Sequence, residues 1–242
     1  MDDGWEASAP AWIADMGELG DFGRRFVLDP VMLAQVSAVP TRRALDVGCG
    51  EGRFCRMLRG RGIDAVGLDP TRALLEQARR RDPAGAFVEG VAEALPFDDG
   101  AFDLVASYLS LIDMPDVRGA IGEMARVLAP GGRFLIAHLN AFNTAAAGGG
   151  WVRDAQGARQ HFAIDNYSTE RAVWVTWRGI RIINHHRPLS VYLQLCIDEG
   201  LMLTRFCEPA PTPDAPPQKA ADYARAPWFC VMAWRKPDTA DR

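Results

Sequence analysis

Short apolar runs alternate with segments of helical spacing through the middle of the chain. Residues 42–47, 64–68, 86–89, 102–107 and 133–138 are rich in Ala, Val, Leu, Ile and Phe and read as buried strands. Between them, residues 51–59, 71–81 and 116–128 carry apolar positions at helical spacing, with Leu74, Leu75 and Ala78 on one face of the second. Parallel neighbours need crossover connections, so this alternation predicts a parallel sheet with helices on both faces.

Both flanks depart from that rhythm. The first 40 residues carry Trp5, Trp12, Ile13 and Met16, then an amphipathic stretch over 21–36, and predict one or two helices. Residues 141–150 are small and Gly-rich, the composition of a flexible loop. Residues 171–177 and 180–185 are β-branched and aromatic around Arg178-Gly179, a hairpin signature. Its apolar rows (Trp174, Trp177, Ile180, Ile182, Ile183) suit a cap over a substrate, with plain core or a dimer interface as the alternatives. A helix over 189–199, a strand over 201–208, a proline-rich surface loop (Pro209 to Pro217) and a strand over 228–234 complete the chain. The last two strands lack an intervening helix, which predicts an antiparallel sheet edge.

Composition narrows the class. The 242 residues are 48% hydrophobic, enough for a sizeable core, and the net charge of −4 with no basic stripe disfavours a nucleic-acid partner. Five scattered cysteines (Cys49, Cys55, Cys196, Cys207, Cys230) suit a reducing compartment. The opening M-D-D-G-W-E is acidic where a signal peptide would be basic, and no apolar run reaches membrane-spanning length. These features predict a soluble, cytoplasmic protein with no membrane partner. An open sheet edge and an apolar hairpin also suit a homodimer.

The chemistry starts at residues 44–52, A-L-D-V-G-C-G-E-G. Gly48, Gly50 and Gly52 follow the first strand, where glycines let the backbone turn sharply and a ligand approach the amides. GxGxG is tighter than the dinucleotide signature GxGxxG and is weak evidence alone. Asp69 ends the second strand, where a carboxylate can accept hydrogen bonds from both hydroxyls of a ribose. The competing reading of Asp69 is a helix cap, with Pro70 at the first helical position.

Four ordered motifs, A-L-D-V-G-C-G-E-G, A-V-G-L-D-P, V-E-G-V-A-E-A-L-P-F-D-D-G-A-F-D-L-V and A-R-V-L-A-P-G-G-R-F-L-I-A, resemble those of the class I S-adenosylmethionine-dependent methyltransferases. The resemblance covers residues 40 to 140, and 189–234 is compatible with the family's last helix and terminal hairpin. It implies a Rossmann-like, doubly wound, mostly parallel seven-stranded sheet with an antiparallel last strand. The chain then divides into an N-terminal helical cap (1–40), a cofactor-binding core (41–140), an inserted loop and hairpin lid (141–188), and the last helix and terminal strands (189–242), one domain overall. The resemblance further implies that Asp46 and the turn through Gly48, Cys49, Gly50 and Gly52 hold the methionine portion of S-adenosylmethionine. Asp69 would grip the ribose, Pro70 would lie near the adenine, and Ala92 and Glu93 would border it. Ser107, Tyr108 and Leu109 would line the pocket near the transferred methyl. Val91 stands where relatives often carry an acid for the adenine amino group, so backbone groups or Glu93 would substitute.

Such an enzyme needs alignment and water exclusion more than a dedicated base. The candidate catalytic residues are His186, in an H-R-P-L-S-x-Y string resembling the entry to the family's last helix, His138 at the end of the fifth strand, and Tyr108. His185 is a weaker candidate. Asp113 reads as a cap for the helix that Pro115-Asp116 introduces, with substrate orientation as its alternative. No HxxxH or DxD spacing suggests a metal site. The expected reaction moves a methyl group to an oxygen, nitrogen or carbon of a small, partly apolar or aromatic acceptor. The alternatives are a macromolecular acceptor (protein or tRNA), a cofactor-binding relative without methyl transfer, and an NAD-dependent oxidoreductase, which the GxGxG spacing disfavours.

Overall fold

The computed structural model describes residues 3–238. Eleven strands are formed in chain order: β1 (Arg43–Val47), β2 (Asp64–Asp69), β3 (Ala86–Glu89), β4 (Phe102–Tyr108), β5 (Leu128–Leu139), β6 (Ala146–Arg153), β7 (Arg159–Ile164), β8 (Arg171–Trp177), β9 (Ile180–His186), β10 (Met202–Cys207) and β11 (Phe229–Arg235). The helices are α1 (Trp5–Met16), α2 (Asp29–Ser37, entered through a π-helical turn at Arg24–Leu28), α3 (Arg53–Arg59), α4 (Arg72–Arg81), α5 (Val117–Val127), α6 (Ala141–Thr144), α7 (Leu189–Asp198) and α8 (Pro217–Arg225).

Seven strands form one sheet in the order β10-β11-β5-β4-β1-β2-β3. β11 runs antiparallel to both its neighbours, and the other pairings are parallel. This is the Rossmann-like, doubly wound sheet that the alternation and the motifs predict. Strand order reverses between β1 and β4, so their carboxyl ends part and open a crevice. Each face of the sheet buries its own core. Phe102, Val105, Ile136 and Trp234 pack with Ile121 and Met124 of α5 and Leu195 of α7. Ala106, Leu135 and Val231 pack on the opposite side with Met32 of α2, Leu58 of α3 and Leu75 of α4. A fully buried Leu or Ile contributes about 1.5–3 kcal/mol by leaving water, which is why both faces carry apolar rows.

Two segments depart from the sequence reading. Residues 141–150, expected as a flexible loop, form α6 and the start of β6, which pairs antiparallel with β7. Gly150 fits there because the Phe162 ring lies where its Cβ would sit, 2.4 Å away. The proline-rich stretch, expected as loop throughout, ends in α8, with Pro217 in its first turn, where the missing N–H costs nothing. The β8–β9 hairpin forms where Arg178-Gly179 predicts it, Trp177 opposite Ile180.

The hairpin and α1 are joined. Ser8 Oγ donates to the Arg181 carbonyl at 3.0 Å and accepts from Arg181 N at 2.9 Å. Ile183 N donates to the Asp3 carbonyl, and Trp12 meets Trp177 edge-on at 6.4 Å. Together they make a roof over the crevice. No helix among the described residues is long and apolar enough to cross a membrane.

Candidate active site

The crevice begins at the turn after β1. Gly48 and Gly50 have φ of 75° and 55°, left-handed values that L side chains rarely adopt. A Cβ at Gly48 would lie 2.3 Å from that of Ser110, so the next loop can close over the turn only because the side chain is missing. At Gly50 a Cβ would meet no atom within 4 Å and would project into the cavity. Gly48 N and Cys49 N both donate to the Leu68 carbonyl, at 2.8 and 3.0 Å. Gly52 serves packing, since the Phe87 ring occupies the space of its missing Cβ. Glu51 is a buried brace held by Arg56 and Arg81 at 2.8 and 2.7 Å.

Asp69 is tied into this turn. Its Oδ2 accepts from Gly50 N at 2.8 Å and its Oδ1 from Thr71 N at 2.9 Å. The N-cap of α4 is Thr71, so Pro70 precedes the helix rather than opening it. The cap of α5 is likewise Asp116, which accepts from Gly119 N at 3.0 Å. Asp113, expected as that cap, instead faces the cavity, where Asn184 Nδ2 donates to it at 2.8 Å.

The cavity has a volume of about 1110 Å³. Acidic groups gather in one half, formed by the ends of β1 and β2, the loop after β3 and the loop after β4. Asp46 Oδ1 is buried with no hydrogen-bond partner among the described residues, and burial raises its pKa to about 7, opposed by the bond from Cys55 and assisted by the Asp69 and Glu51 charges. Burial also raises Asp69, opposed by the Thr71 and Gly50 amides, and drives Asp113 well above the carboxylate range. Glu93 Oε1 is a second buried acceptor without a partner among the described residues. Cys49, Pro70, Ala92, Tyr108 and Leu109 line the same cavity. Ser107 does not: it is fully buried, and its Oγ meets Ser110 Oγ at 2.7 Å, holding the loop whose Ser110 donates to the Val47 carbonyl.

The other half is aromatic, walled by Trp12, Trp177, Tyr223, Trp228 and Phe229. Its cations are already engaged. Arg24 pairs with Asp21 at 3.2 Å and stacks over Trp12, while Arg53 pairs with Asp29. Tyr108 stands at this half, its ring edge-on to Phe54 and its hydroxyl donating to Asp29 Oδ1 at 2.7 Å.

The structure does not bring the two candidate histidines to the cavity wall. Alternation along β5 puts Leu139 at the cavity and His138 on the opposite face, 4.2 Å ring to ring from Tyr192. Burial, then the Arg187 charge, lowers the His138 pKa to about 3. His186 is 1% exposed, its Nε2 donating to the Tyr167 carbonyl at 2.9 Å and its Nδ1 meeting Thr144 Oγ1 at 2.5 Å. His185 also lies off the cavity, its backbone N donating to the Ile112 carbonyl. Sequence reasoning missed Ser110, Asp29, Arg24 and Tyr223. Ser110 alone carries a local signal, lying just beyond the fourth strand.

A doubly wound sheet with a glycine turn, a strand-end aspartate and a cavity at the switch point defines a nucleotide-type ligand-binding α/β protein. Residues 45–136 match the family described as methyltransferase domain. The chain is 38% identical over 117 residues to a demethylmenaquinone methyltransferase of Renibacterium salmoninarum, 48% of this chain and 47% of that protein. It is 34% identical over 156 residues to a malonyl-[acyl-carrier protein] O-methyltransferase of Salmonella typhimurium, 62% of this chain and 58% of that protein. The matched stretch thus spans about half the length of these curated relatives. A crystal structure of an S-adenosylmethionine dependent methyltransferase from Mesorhizobium loti superposes with a TM-score of 0.76 at 29% identity, over 85% of this chain and 96% of that one. Over residues 45–136 in sequence, and over most of its length in fold, the chain is thus similar to S-adenosylmethionine-dependent methyltransferases.

Proposed function

We propose that the protein binds S-adenosylmethionine in the acidic half of the cavity and transfers its methyl group to a small, flat, aromatic acceptor in the other half. The observation that carries this reading is one cavity whose lining includes two carboxylates, Asp46 and Glu93, each with a buried oxygen unpartnered among the described residues, and five aromatic side chains, Trp12, Trp177, Tyr223, Trp228 and Phe229. The residues fit the methyl donor. Asp46 Oδ1 offers a buried, unmatched acceptor to a cationic amino group. Asp69 retains lone pairs for ribose hydroxyls after its two backbone bonds. Glu93 Oε1 offers an acceptor for the amino group of the base, the role that Val91 cannot fill. The open space at Gly50 is where a ligand can lie on the backbone.

When bound, the donor supplies an electrophilic methyl group on a sulfonium, so the chain must align the acceptor and keep water out. The joined α1 and β8–β9 roof performs the second task. Alignment falls to the aromatic wall, and in favourable cases orientation lowers a barrier by ~7–11 kcal/mol. Of the acceptors in the two relatives' names, a quinone-type ring suits this wall better than a malonyl group, because Arg24 and Arg53 already have carboxylate partners. Calorimetric titration with S-adenosylhomocysteine and with NADH tests the assignment. The expected result is binding of the first and no heat from the second; the reverse pattern sinks it.

A further inference from the structure

We propose that Tyr108 and Asp29 form a proton relay leading from the acceptor half of the cavity to a separate groove on the outside of the protein. The inference rests on the methyltransferase reading of the cavity. Tyr108 ends β4 at the carboxyl edge of the sheet and lines the cavity. The residue after it, Leu109, holds a left-handed φ of 62°, fixed by a bond from its N to the Ala137 carbonyl at 2.8 Å. Backbone strain of this kind in a non-glycine residue persists only where surroundings enforce it, and it clusters at working sites. The Tyr108 hydroxyl donates to Asp29 Oδ1 at 2.7 Å. Asp29 is 7% exposed, receives Arg53 Nη1 at 3.0 Å and is also bonded by Arg53 Nη2.

What makes this a path is the far side of Asp29. Asp29 is not among the residues lining the main cavity; with Glu18, Arg25, Arg53 and Arg56 it lines a second groove of about 420 Å³. The chain thus runs from cavity to phenol to carboxylate to groove. Arg24 and Arg53 are the charged groups facing Tyr108 besides Asp29. Burial and the Asp29 charge hold the phenol protonated well past its ordinary range, so it cannot act as a stored phenolate. A relay needs none. As the acceptor's new bond to the methyl carbon forms and the carbon–sulfur bond breaks, the acceptor proton moves to the Tyr108 oxygen. The Tyr108 hydroxyl proton moves at the same time to Asp29 Oδ1, and Asp29 then gives it to water in the groove. Tyr108 is neutral before and after, and the electron pair of the broken bond neutralises the sulfonium. Tyr108 is the catalytic residue here, and Asp29 a positioning residue that acts through it.

The test uses the full-length protein, methyl-labelled S-adenosylmethionine and extracted small metabolites as acceptors. Tyr108→Phe keeps the ring and the Asp29–Arg53 pair, and should lower label transfer by about 10²-fold or more while S-adenosylhomocysteine affinity stays within about twofold. Asp29→Asn should do the same. An alkaline absorbance titration, with Tyr108 assigned by difference from Tyr108→Phe, should show the Tyr108 midpoint drop in Asp29→Asn. Transfer unaffected by Tyr108→Phe or by Asp29→Asn, or an unmoved Tyr108 midpoint, overturns the relay. A wild type that binds S-adenosylhomocysteine yet labels nothing sinks the methyltransferase reading, and the relay with it.

Discussion

Asp46 lies one residue before the end of a parallel strand in the middle of the sheet, and one of its oxygens is buried with no donor among the described residues. Burial therefore leaves it half-protonated near pH 7 in the ligand-free protein, since its pKa rises to about 7. A bound cation stabilises the carboxylate and lowers that pKa, so binding below pH 7 must expel a proton. Affinity for S-adenosylmethionine should accordingly strengthen as pH rises toward 7 and then level off. Calorimetry in two buffers of different ionisation heat should detect proton release, and Asp46→Asn should reduce it. Equal heats in both buffers for the wild type would show that Asp46 does not meet the cation. Residues were legible to differing depth in the sequence. Asp69 was readable because its position follows from strand and turn. His138 was not, because a one-residue choice of face decides whether a strand-end side chain meets the cavity or the opposite core. His186 was captured by Thr144 and Tyr167, partners from other segments that no local spacing announces.

At the scale of elements, the alternating strands and helices of the core follow from apolar periodicity, and they form where it puts them. The exceptions are segments whose neighbours override composition. Gly150 sits in a strand because Phe162 packs on it, and prolines that mark a loop also start α8. The hairpin was legible from its β-branched runs, but its partner was not. Only the fold brings Trp12 of α1 against Trp177 of β8. That pair ties the roof to the acceptor wall, and edge-on aromatic pairs contribute about 0.5–1.5 kcal/mol beyond burial. Trp177→Ala should raise the acceptor KM by about two- to tenfold while S-adenosylhomocysteine affinity is retained, because that energy converts to about that range of ratios. Unchanged KM in steady-state assays would remove the hairpin from the acceptor site.

For the whole molecule, the division of the cavity mirrors the division of the sequence. The family match covers residues 45–136, which supply Asp46, the glycine turn, Asp69 and Glu93. Trp12, Trp177, Tyr223, Trp228 and Phe229, which wall the other half, all lie outside it. The proposed donor half is built from local turns, whereas the proposed acceptor half, Tyr108 apart, is built from distant segments that meet only in the folded chain, which is why the motifs speak to the first and not to the second. The central claim is that one cavity joins the two halves so that a methyl group crosses from donor to a small molecule. The most direct measurement follows methyl-labelled S-adenosylmethionine incubated with the protein and a cell extract separated into metabolites and macromolecules. The account predicts label in an aromatic metabolite, with one equivalent of S-adenosylhomocysteine formed for each methyl moved. Label in the macromolecular fraction, or donor left intact beside a protein that binds it, would contradict it.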